Sequence, residues 1–300
     1  MSDRIEGLAG RLAAGEALSD ADLSELGRAT DILTLGMLAD EARRRRHGAQ
    51  TTYVRVADVS LPAPGGVLAI PTAAGEVRVK AAASDFDAVL PALYSVVTAA
   101  GHVPVSAFSL ADLQAHSRTA GRPLIDLLRS IRRAGVAAIA EAPLDMLDDA
   151  EAALESVREA GLFLARLTVQ CQADADVRVG LIKKAAELQH ALGWLRSFAP
   201  LPRLWSAGSP TTGYEDMRQV ALARLLADNI PTIQVDWSLY GPKLAQVALT
   251  FGADDVDAVA PLDDLSEGRR RAPLEEVRRN IQAAGLGPAE RDGVYGRVAG

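Results

Sequence analysis

From Thr51 onward, short apolar or β-branched runs alternate with helical stretches eight times. The runs are 52–59, 76–81, 102–108, 136–141, 162–170, 194–199, 232–239 and 255–259. The helical stretches between and after them include 85–100, 110–118, 122–134, 145–160, 176–192, 213–228, 241–251 and 273–284. Gly101, Gly135, Gly161, Gly252 and Gly285 each follow a helical stretch, where a left-handed cap is needed. This alternation predicts the α/β class, a parallel sheet with helices outside it. Eight such units in one domain close most economically as a (β/α)8, TIM-barrel-like fold. A doubly wound open sheet is the alternative, but no GxGxxG follows the first run.

Residues 1–50 read as a short helical N-terminal segment, and 51–300 as the barrel domain with its C-terminal helix. Ser19 and Asp20 can cap a helix beginning near Ala21, and Leu23, Leu26, Ile32, Leu35 and Leu38 recur at helical spacing. The basic run Arg43–Arg46 suits a solvated helix C-terminus, where cations complement the helix dipole. Anion binding is the other reading of that run.

Composition excludes several classes. Hydrophobic residues make up 49% and charged residues 24% of the 300, so the chain is neither disordered nor collagen-like. A net charge of −7 argues against a nucleic-acid groove, which needs a basic surface. The single cysteine, Cys171, excludes an intramolecular disulfide framework, a CxxC zinc site and a cluster held by three thiolates of this chain. The four histidines show neither HxH nor HExxH spacing, and no metal site is expected. Residues 88–111 carry no Asp, Glu, Lys or Arg, but Pro91, Gly101 and Pro104 interrupt them. They read as a buried helix and strand rather than a membrane span. With no apolar secretory segment near Met1, the expected compartment is the cytoplasm.

In such a barrel the active site lies at the C-terminal ends of the strands. Ionisable residues in the strands are therefore the candidates. Glu141, Lys80 and Asp236 are the candidate catalytic residues, with a carboxylate as acid or base. Lys80 could also serve as a Schiff-base amine if desolvated. Arg166, Arg196 and Tyr240 are the candidate substrate-binding residues, and the cations favour a small anionic ligand. The competing reading makes these charges structural ion pairs, since strand charges are costly unless paired or wet.

The last third of the chain carries denser patterns. Residues 212–240 read TGYEDMRQVALARLLADNIPTIQVDWSLY and 241–257 read GPKLAQVALTFGADDVD. With LGMLADEARRRRHGAQTTYV (35–54) and ERDGVY (290–295), they resemble the radical-SAM enzymes of the futalosine route to menaquinone. That family comprises aminodeoxyfutalosine synthase and cyclic dehypoxanthinyl futalosine synthase. The resemblance implies a radical-SAM-type barrel, and a CxxxCxxC loop after the first strand that holds a [4Fe–4S] cluster and S-adenosylmethionine.

The departures are as informative. The corresponding loop here, VADVSLPAPGGVLAIPTAAG (56–75), has no cysteine. VKAAAS (79–84) stands where the family has a glycine-rich stretch, as does IAEAPLD (139–145) at the fourth strand. APLDDLSEG (260–268) lacks the histidine expected after the eighth strand. The expectation is therefore a chain with no iron–sulfur cofactor and no ordinary S-adenosylmethionine site. Three roles stay open. They are a noncatalytic pseudoenzyme that pairs with an intact homologue or another menaquinone-pathway enzyme or carries an intermediate, a non-radical enzyme acting on a related anionic molecule, and a structural subunit of an assembly.

Overall fold

Helix and strand signals resolve into a closed parallel barrel. The computed structural model describes residues 7–8, 11, 19–61, 68–171, 174–204, 212–263 and 273–298. Residues 62–67 of the Pro- and Gly-rich loop, and much of the segment 1–18, lie outside the described residues.

Two helices lead in. Ser19 caps α1 (Asp20–Arg28) through a capping box with Asp22, and Asp31 caps α2 (Ile32–His47) by accepting from Leu33 and Thr34 N–H. The barrel strands then follow as β1 (Gln50–Ser60), β2 (Glu76–Lys80), β3 (Val105–Ser109), β4 (Ala138–Pro143), β5 (Phe163–Leu164), β6 (Leu167–Cys171), β7 (Ser197–Leu204), β8 (Thr232–Asp236) and β9 (Asp255–Val259). The short β5 and β6 both pair with β4, so they are one interrupted strand. Counting them together leaves eight strands, all parallel, and β9 pairs back to β1 to close the ring. All eight expected strands are present.

The helices are α3 (Phe86–Ala100), α4 (Leu110–Ala120), α5 (Leu124–Arg133), α6 (Ala150–Glu159), α7 (Ala175–Leu192), α8 (Gly213–Leu226), α9 (Trp237–Leu249) and α10 (Pro273–Ala283). The uncharged run 88–111 becomes most of α3, then β3, then the start of α4. No helix among the described residues is long and apolar enough to cross a membrane.

Strand ends differ from expectation in two places that matter for the site. The run 232–239 stops as a strand at Asp236, whose Oδ1 accepts from Leu239 N–H at 2.9 Å and starts α9. Gly241 then leaves helical geometry (φ 76°) before Pro242, so the main body of α9 begins there. The run 194–199 is displaced toward 197–204. Pro200 and Pro202 cannot donate to a ladder, and the register against β6 shifts between Thr168 and Val169.

A feature absent from the expectation is β10 (Gly287–Glu290), which pairs parallel with the start of β1 outside the ring. It feeds a tail that covers the barrel at the N-terminal ends of the strands. Arg291 forms a two-pronged pair with Asp255 of β9, both contacts 2.6 Å. The ring of Tyr295 lies 4.1 Å from the Arg291 guanidinium, and its hydroxyl donates to Ala165 O at 2.9 Å.

The lead-in helices pack on α8. Arg218 of α8 donates to the carbonyls of Ala29 and Gly27 at 2.9 and 2.7 Å. His47 Nε2 lies 2.9 Å from Pro231 O. Gly252, after α9, sits where this junction is tightest. It holds φ +99°, and a Cβ there would meet Arg224 Cβ at 2.8 Å and Ala39 Cβ at 3.0 Å.

Candidate functional site

The barrel interior holds two charged layers. The deeper one is a closed ring of four side chains from β2, the β5–β6 junction and β9. Glu76 accepts from Arg78 Nε at 3.0 Å and from Arg166 Nη2 at 3.0 Å. Asp257 accepts from Arg78 Nη2 at 2.8 Å, and Arg166 Nε stands 3.2 Å from it. Ser106 of β3 adds a hydroxyl to Glu76 at 2.5 Å. All four charged members are buried. Burial pushes the Glu76 carboxyl up, but Arg166 and Arg78 together overcome this and hold it down at about 2. Asp257 is likewise held well below the usual range by Arg166 and Arg78 against its burial.

Above this ring lies a hollow of about 300 Å³ at the C-terminal strand ends. Lys80, Glu141 and Asp236 all line it, as does Arg166 at its floor. The three candidate catalytic residues are therefore brought to one mouth. Arg203 of β7 ties two of them together, with Nε 2.8 Å from Glu141 Oε2 and Nη2 3.2 Å from Asp236 Oδ2. Lys80 pairs with Asp58 of β1 at 2.8 Å and is 60% exposed, so the desolvation a Schiff-base lysine needs is not built around it. Asp112, in the first turn of α4, lines the same mouth. Burial and the charge of Glu141 raise its carboxyl above the ordinary value.

The candidate substrate-binding set is not brought together. Arg166 is 2% exposed, and its charge is taken up by Glu76 and Asp257. Arg196 precedes Ser197, the first residue of β7, and is exposed at the opposite end of the barrel. The reading of 194–199 as the strand put it near the mouth, and the displaced strand removes it. Tyr240 is half-buried and donates its hydroxyl to Pro202 O at 2.5 Å, outside the lining of the hollow. For the strand arginines the ion-pair reading prevails over a free anion-binding set.

Arg203, Asp112 and Glu76 are the residues that sequence reasoning missed. Arg203 lay beyond the expected strand, and Asp112 was read only as helix. Two residues near this layer depart from ordinary backbone geometry. Phe108 (φ 62°) lines the hollow, and Ala258 (φ 57°) sits where β9 shifts register against β1. Non-glycine residues in this region are strained, and such strain gathers where a site shapes the backbone.

Cys171 ends β6, exposed, with its N–H donating to Asp145 Oδ2 at 2.8 Å. Among the described residues, no three His, Cys, Asp or Glu side chains are grouped to hold a metal ion.

Comparison with known proteins agrees with this architecture. Residues 197–298 match the CofH/MqnC C-terminal region. Aminodeoxyfutalosine synthase of Thermus thermophilus is 27% identical over 359 aligned positions, covering 98% of this chain and 96% of that one. An Archaeoglobus fulgidus 5-amino-6-(D-ribitylamino)uracil–L-tyrosine 4-hydroxyphenyl transferase is 25% identical, covering 71% of this chain and 70% of its own. Among solved structures, methylornithine synthase superposes with a TM-score of 0.67 at 13% identity, covering 94% of this chain and 97% of that one. The hydrogenase maturase HydG of Carboxydothermus hydrogenoformans gives 0.62 at 14% identity, covering 96% and 80%. Those two likenesses establish the fold. The chain is thus a closed eight-stranded parallel barrel whose residues 197–298 match the CofH/MqnC C-terminal region and which is similar along its length to aminodeoxyfutalosine synthase.

Proposed function

We propose that this chain belongs to the futalosine route to menaquinone as a noncatalytic barrel, one that pairs with or regulates an intact homologue or another enzyme of the route, or carries an intermediate. The observation that carries the reading is the donor set. A radical-SAM [4Fe–4S] cluster takes three thiolates from one loop. This chain has one cysteine, and it lies at the end of β6 rather than after β1. At the mouth, Asp58, Lys80, Glu141 and Asp236 sit in ion pairs with one another or with Arg203. The residues present do not fit the cluster.

Two experiments test the proposal. After anaerobic reconstitution with iron and sulfide, the purified chain is expected to retain no stoichiometric iron or labile sulfide. Mixed with an intact aminodeoxyfutalosine synthase, it is expected to co-sediment or to change that enzyme's kcat or KM. A cluster bound in stoichiometric amount, or no effect on any enzyme or intermediate of the route, overturns the reading.

A non-radical enzyme is the second reading, and one observation favours it. Asp112, raised by burial and by Glu141, lies in the same mouth as a second carboxylate, which is an arrangement able to pass a proton. Turnover of a pathway intermediate that Glu141→Gln abolishes would establish this reading and displace the first.

A further inference from the structure

We propose that the barrel mouth and the groove beside it form one site for an organic cation with an apolar body, an arylalkylammonium in its simplest form. Beside the mouth, a second hollow of about 570 Å³ runs between the loop after β2 and helix α4. Ala82, Ala83, Ala115 and Ala120 give it an apolar lining, and Asp112 lines both hollows and joins them. Their sizes fall in the range of small-molecule sites.

Charge decides what the inner end accepts. Arg78 and Arg166 are neutralised below by Glu76 and Asp257. Four carboxylates, Asp58, Asp112, Glu141 and Asp236, then face the two remaining cations, Lys80 and Arg203. Lys80 is engaged by Asp58, and Arg203 is shared by Glu141 and Asp236. Asp112 is left with no cation paired to it among the described residues. An anion entering here meets surplus negative charge, whereas an ammonium supplies the missing counter-charge. His116 also lines the outer hollow, its ring stacked on Phe86 at 5.8 Å, and adds an aromatic surface to the alanine lining. The proposal does not depend on the pathway role, because it concerns what the cavity holds with or without turnover.

The test is calorimetric titration of the full chain with phenylbutylammonium, phenylbutanol and phenylbutanoate. The ammonium is expected to bind more tightly than the alcohol, and the carboxylate not at all. Asp112→Asn is expected to weaken the ammonium about tenfold and leave the alcohol unchanged. Ala115→Phe, which fills the groove from an exposed helix position, is expected to weaken both. Glu151→Gln, a remote surface change, controls for the overall acidity of the chain. The proposal is overturned if the carboxylate binds as well as the ammonium, if none of the three binds, or if Glu151→Gln weakens the ammonium as much as Asp112→Asn does.

Discussion

Gly293 lies against the side chain of Glu76, so closely that a Cβ on the glycine would stand 2.8 Å from Glu76 Cγ and 3.0 Å from its Cβ. The C-terminal tail is thereby fitted to the buried ion ring of the barrel, and position 293 has no room for a larger residue. Gly293→Val is expected to destabilise the fold by about 1–3 kcal/mol, the range for overpacking a filled interior. Gly293→Ala is expected to cost less. Urea denaturation midpoints check this, and a midpoint unchanged in Gly293→Val would show that the tail can lift from Glu76 freely.

Glu76 itself carries a larger share. Removing its charge leaves Arg78 and Arg166 buried with Asp257 as their one shared counter-charge. Breaking a buried pair in this way costs about 3–5 kcal/mol, and Glu76→Gln is expected to fall in that range. The pH dependence has a definite sign. The folded carboxyl is held at about 2, below its ordinary 4.5, so its contribution is present above pH 4.5 and lost as the pH falls toward 2. Asp254, which burial raises against the pull of Arg224 and His47, acts in the opposite sense. In thermal melts, wild type is expected to lose stability across this acid window more steeply than Glu76→Gln. Parallel curves would place the acid sensitivity elsewhere.

The barrel was legible because its signals are local. Each strand run is short and bounded, and each helix-ending glycine is visible in one dimension. The site was less legible because its decisive contacts are long-range. Arg166 was recognisable as a charge in a strand, but nothing nearby in sequence names Glu76 and Asp257, ninety residues away on either side, as its partners. Arg203 was hidden by Pro200 and Pro202, which make the end of β7 look like a loop. The same misplacement carried Arg196 to the wrong end of the barrel. Arg291 and Tyr295 belong to a segment that resembled a family ending, yet only folding shows that it covers the barrel floor.

Gly36 offers a test of how firmly the lead-in helices are seated. A Cβ there would meet the Phe251 ring at 2.7 Å, so α2 reaches the barrel by way of a residue without a side chain. Gly36→Ala is expected to destabilise the wild-type fold. In a Phe251→Leu background, which removes the ring, the same change is expected to be tolerated. The double-mutant cycle should show a coupling above about 0.5 kcal/mol. Additive effects would mean the ring swings aside without cost.

Arg203 controls the charge of the mouth. It is the one cation shared by Glu141 and Asp236 among the described residues, and its side chain is 17% exposed. Asp236 keeps its role in starting α9 without it, through the bonds from Ser238 and Leu239. Arg203→Gln is therefore expected to leave the barrel folded, at a cost of about 1–3 kcal/mol, between that of an exposed pair and that of a fully buried one. It also leaves two more carboxylates without a counter-charge at the inner end of the cleft. Affinity for phenylbutylammonium is expected to rise in this variant and to fall with added salt more steeply than in wild type. If the affinity falls instead, Arg203 contacts the ligand directly, and the mouth recognises something other than positive charge.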